Sequence, residues 1–95
     1  HTATASNKVL VEREMVKIYP NPFSYNIQLQ WLMPSTKVDA LLTDALGRHL
    51  LDIRAANTEE ISGEVEKMIA YLPAGYYQLW LHEHDWHQLV SIIKN

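Results

Sequence analysis

From Val9 onward, apolar residues recur mostly at every second position, in short runs separated by Pro, Gly, Asn and Asp. Side chains alternate between the two faces of a strand, so this is the pattern of half-buried strands and not of helices. In YNIQLQWLM, Ile27, Leu29, Trp31 and Met33 share one face and Gln28 and Gln30 the other. In KVDALLTDALGRHLLDIRA, Val38, Ala40 and Leu42 point one way, DALG reverses the chain, and Leu51 and Ile53 return, which predicts a hairpin. EVEKMIAYL is the least regular run, because Lys67 interrupts Val65 and Ile69 while Met68 takes the opposite face. It reads as a weak strand, with a short helix as the alternative. GYYQLWLHE sets Tyr77, Leu79 and Leu81 against Tyr76, Gln78 and Trp80, and HQLVSIIKN turns Val90 and Ile92 inward.

The count is about six or seven strands at short spacing. Two sheets that each bury an apolar face then give an all-β fold, a small immunoglobulin-like antiparallel β-sandwich. No helix long enough for a βαβ crossover is expected. YPNP at 19–22 cannot lie within a central strand, because its two prolines lack N–H donors, so it marks a strand end and a corner.

Ninety-five residues support one core. Hydrophobic residues at 47% against 20% charged argue for a folded chain. The net charge of -3 and the lack of a basic block argue against nucleic acid. Without cysteine there is no disulfide, thiolate nucleophile or thiolate metal site. No apolar run is long enough to span a bilayer, and the start HTATASN lacks the regions of a signal peptide. The expectation is a cytosolic protein or a piece of a longer precursor. Residues 1–14 read as a polar linker running into a first strand, and residues 15–95 as the domain.

Two short stretches have the chemistry of corners. In DALGR, Gly47 can take the positive φ of a tight turn, Asp44 can accept from turn amides, and Leu46 is expected to cap the core end of the hairpin. In LPAGYY, Pro73 presets φ for a turn that Gly75 ends, with Leu72 and Tyr77 anchoring its sides. KIYPNPFSYNIQLQ, TDALGRHLL and YLPAGYYQLWL occur in this order, followed by an apolar strand ending in Lys94. Over residues 16–95 the chain thereby resembles the C-terminal sorting domains of type IX secretion cargo in Bacteroidetes. It departs from the usual pattern at Tyr25, at Lys67 and in the last hairpin, where HEHDWH stands in place of Gly or Asn.

The resemblance implies a routing signal. The outer-membrane secretion machinery would recognise the folded domain in the periplasm and carry an attached protein to the cell surface or medium. A sortase would cut within residues 1–14 and join the cargo to lipopolysaccharide. The positions matching the motifs are Pro20, Asn21, Pro22, Asp44, Gly47, Arg48, Leu72, Pro73, Gly75, Tyr77 and Lys94.

The histidines offer another chemistry. His82 and His84, two apart on an extended strand, would project together, and His87 would complete a metal triad after a turn at Asp85 and Trp86. A hairpin tip is the plainer reading, and neither a metal nor another cofactor is expected. Such a tip could tune contact with a partner or a second copy as pH changes. There is no nucleophile elbow, and Glu59, Glu60, Glu64 and Glu66 read as solvated charge on a loop and strand, so no enzyme is expected. A carbohydrate- or protein-binding module of a surface protein is the alternative function, suggested by the outward Tyr76, Trp80 and Trp86.

Overall fold

A computed structural model describes residues 11–24, 26–32, 36–84 and 86–95. Val9, Tyr25, Met33 and Asp85 lie outside the described residues. The elements are β1 (Val11–Glu12), β2 (Val16–Tyr19), β3 (Gln28–Trp31), β4 (Val38–Asp44), β5 (His49–Ala56), α1 (Thr58–Tyr71), β6 (Gly75–Glu83) and β7 (Trp86–Lys94). One sheet has the order β1-β7-β6-β4-β5, and β2 and β3 form a second. The protein is mostly β, a small sandwich in which a five-stranded sheet packs against a layer made of the β2–β3 sheet and α1. The long strand pairs are antiparallel, while the two residues of β1 run parallel to β7.

The alternating residues point where their period predicts. Val38, Ala40 and Leu42 of β4, Tyr77, Leu79 and Leu81 of β6, and Ile92 of β7 are buried in one core, with Leu51, Ile53 and Val90 half-buried against it. Each fully buried Leu or Ile there contributes about 1.5–3 kcal/mol relative to an exposed position.

The irregular run belongs to a 14-residue helix, not to a strand. Ile61, Val65 and Ile69 fall four apart, one helical face, and all three are buried in the core. Asn57 caps its start by accepting the Glu60 N–H at 2.8 Å. Lys67 sits on the exposed side, which removes the conflict it posed for a strand. The four glutamates are therefore helical, with Glu59 and Glu60 in the first turn, where carboxylates complement the helix dipole.

The helix also overturns the expectation that no crossover would occur. β5 and β6 both run antiparallel to β4 and so parallel to each other, and α1 connects them across it. This is a split βαβ unit within a sheet whose long strand pairs are all antiparallel. Trp31 of β3 donates through Nε1 to Ser62 Oγ at 2.7 Å, tying the hairpin to the helix within the second layer.

Candidate functional site

Three motifs distant in sequence meet at one end of the sandwich. Register places Asp44 beside Tyr77, Tyr77 beside Ile92 and Gly75 beside Lys94, while Phe23 forms a parallel bridge to Lys94.

At the outer edge of β7, the peptides Tyr19-Pro20 and Asn21-Pro22 are both cis. Prolines cannot donate to a ladder, and the Asn21 side chain substitutes for the missing backbone amide. Its Nδ2 donates to the Ser91 carbonyl at 2.7 Å and its Oδ1 accepts the Ile93 N–H at 3.0 Å. Phe23, buried in the core, donates its N–H to Ile93 at 2.9 Å and accepts from Asn95 at 2.7 Å. Near the other end of β7, Gln88 Oε1 accepts from Met15 and Val16 at 2.6 and 3.0 Å, and Nε2 donates to the Val16 carbonyl at 3.1 Å. The last long strand is thus held along both edges.

The LPAGYY corner lies on the same end. Tyr77 donates its phenol proton to the Pro73 carbonyl. Leu72 packs half-buried against the core, and its N–H donates to Ile69 as the helix ends. Gly75 begins β6 directly after the corner and without positive φ, so the chain enters the strand there without using a glycine's left-handed freedom. A side chain there would stand beside the Tyr77 phenol. Lys94 reaches back from β7 and donates to the carbonyls of Ile69, Ala70 and Leu72 at 3.0, 3.2 and 2.7 Å. The helix has no basic residue in its last turn, and Lys94 supplies that cation from a distant strand.

The DALGR turn completes the end. Asp44 Oδ1 accepts the backbone N–H groups of Leu46 and Arg48, both at 2.9 Å, and Oδ2 accepts Arg48 Nε at 2.7 Å. These bonds, the Arg48 N–H foremost, hold the Asp44 carboxyl below its ordinary 3.8. Gly47 has φ +83°, the left-handed conformation that the tight turn requires. Leu46 does not cap the core. It is 83% exposed at the turn tip, because the Asp44 bonds organise the reversal without it. Leu46, Arg48, Gly75, Tyr76 and Tyr77 line a shallow hollow there.

The arrangement offers a rigid, mixed surface for a protein partner: one exposed leucine and one arginine held above a fixed corner. The secretion system C-terminal sorting domain family matches residues 17–95. The chain belongs to that family. No curated protein matches it. The sorting domain is a type IX secretion signal, which implies interaction with that machinery and export to the cell surface or medium. No helix among the described residues is long and apolar enough to cross a membrane.

The histidine stretch lies at the other end of β6 and β7. The strand stops at Glu83, and His84 occupies the turn with φ +50°, so the geometry a triad needs does not form. His82 and His87 face each other in register, and His82 Nδ1 lies 3.8 Å from Asp39 Oδ2. Among the described residues, no three His, Cys, Asp or Glu side chains are grouped to hold a metal.

The sequence reading missed Gln88, although it clamps the entering chain, since nothing local marks a glutamine as a bridge across more than 70 residues. It also missed the helix cap. Asn57 followed three residues later by Glu60, ahead of Ile61, Val65 and Ile69, was the available signal.

Proposed function

We propose that the secretion machinery reads this sorting domain in the periplasm as a folded object, at the end where the three motifs meet. Leu46 and Arg48 make the contact. The remaining motif residues hold them in place. The convergence of Pro20 to Phe23, Asp44 to Arg48 and Leu72 to Tyr77 around the end of β7 supports this reading. A bare C-terminal peptide is a weaker candidate, because Lys94, Ile93 and Asn95 are already engaged by the rest of the domain. The domain performs no reaction of its own. After transport a sortase cuts within residues 1–14 and joins the cargo to lipopolysaccharide.

The test fuses the chain to a reporter with an export signal in a type IX-competent bacterium. The reporter should reach the surface or medium, and Leu46→Asp should leave it in the periplasm with the circular dichroism of the purified domain unchanged. Periplasmic retention of the unmodified fusion would sink the routing reading. Normal secretion of Leu46→Asp would move the contact elsewhere on the domain.

A further inference from the structure

The face of the five-stranded sheet opposite α1 and the β2–β3 sheet is uncovered among the described residues. Tyr76 faces Ile93 there, and Trp80 faces Leu89. These four side chains are 41%, 39%, 43% and 38% exposed. With aromatic side chains presenting 150–250 Å² each when fully open, the patch offers on the order of 300 Å². A stable protein interface buries about 800 Å² per partner, so a second copy would have to enlist the polar residues around this patch as well.

Its chemistry is also interrupted. Tyr76 and Trp80 stand four residues apart on β6, about 13 Å at the rise of a strand. Gln78 and Ser91 lie between them as a polar row. The Tyr76 and Ser91 hydroxyls are hydrogen-bonded at 2.7 Å, one row along from Tyr76's own partner Ile93. That bond ties the tip of the tyrosine to the polar row while the residue stays 41% exposed. Beside Trp80, across Leu41, the residues Asp39, His49, Asp52 and Arg54 line a shallow polar hollow. Arg54 is paired with Asp52 at 3.3 Å, and the two carboxylates outnumber it, which disfavours an anionic ligand.

Two separated, exposed aromatic side chains with hydrogen-bonding groups between and beside them suit a molecule with apolar C–H faces and a rim of hydroxyls. We propose that the outer face of β6 and β7 binds a short neutral oligosaccharide, with sugar rings stacked on Tyr76 and Trp80 and hydroxyls bonded to Gln78 and the Asp39–Asp52 hollow. Tyr76 also lines the hollow beside Leu46 and Arg48, whereas Trp80 lies four residues further along β6, so loss of Trp80 should leave secretion unchanged.

The experiment titrates the 95-residue chain, isotopically labelled, with cellotriose, mannotriose and chitotriose while amide NMR shifts are followed. At least one trisaccharide should give saturable shifts confined to residues 76–82 and 87–93 and to the neighbouring 39–41 and 49–54. Trp80→Ala should weaken that binding about tenfold, and Tyr76→Phe, which removes only the hydroxyl that pins the ring, severalfold, with dispersion otherwise unchanged. No saturable shift with any of the three sugars would overturn the proposal, as would shifts confined to another face. Concentration-dependent shifts of the same residues without sugar would assign the face to a second copy.

Discussion

At the scale of single residues, Lys94 and Asp44 do more than their motif positions suggest. The Lys94 ammonium meets three carbonyls at a helix end, bonds that are charge-assisted and partly shielded. Lys94→Met keeps the stem and removes the donors, and should lower stability by about 1–3 kcal/mol, read as a lower urea midpoint with unchanged slope. Asp44 acts through its charge. Its folded pKa is depressed, so its contribution is complete above the ordinary 3.8 and is lost as pH falls through the folded value. Melting temperature should therefore fall below that pH, and the acid-dependent drop should be smaller in Asp44→Asn, which keeps an acceptor but does not titrate. Equal drops in both proteins would assign acid sensitivity to other carboxylates.

At the scale of elements, α1 combines a well-capped start with one weak interior residue. Gly63 sits exposed in its interior, and an added Cβ there would meet nothing within 4 Å. Gly63→Ala should stabilise the domain by about 0.5–1 kcal/mol, while Asn57→Ala, which leaves the Glu60 N–H without its partner, should cost about 1 kcal/mol. Thermal or urea unfolding checks both signs. The strands were legible because period-two alternation survives any partner: Tyr77, Leu79 and Leu81 had to share a face whatever covered it. The helix was legible too, since Val65, Met68, Ile69 and Leu72 recur at i, i+3, i+4 and i+7, and it reads as a weak strand only when the window from Glu64 leaves out the Asn57 cap and Ile61.

At the scale of the whole molecule, the two ends of the sheet differ in composition and in role. The three motifs gather where β7 finishes, and the histidines occupy the turn where β7 begins. Replacing His82 by Ala and His84 by Asn, which tolerates the positive φ at that position, should leave reporter secretion unchanged. Loss of secretion with the fold intact would place the contact at the histidine end. A β7 held by Asn21, Phe23 and Gln88 on one edge and by β6 on the other also explains why deletion near the terminus is a poor probe of recognition. Such a deletion removes core residue Ile92 and the helix-capping Lys94 together.

The sequence by itself determined the strand faces, the DALG reversal and the family, because each rests on local alternation, on one glycine's backbone freedom or on motif order. Tertiary structure decided where the motifs lie relative to one another. Contacts such as Asn21 to Ser91 and Lys94 to Ile69 bridge 70 and 25 positions, and no local pattern encodes a hydrogen bond whose partner is brought up by folding. It likewise turned Leu46 from an expected core cap into an exposed tip, since carboxylate bonds from Asp44 were enough to close the turn.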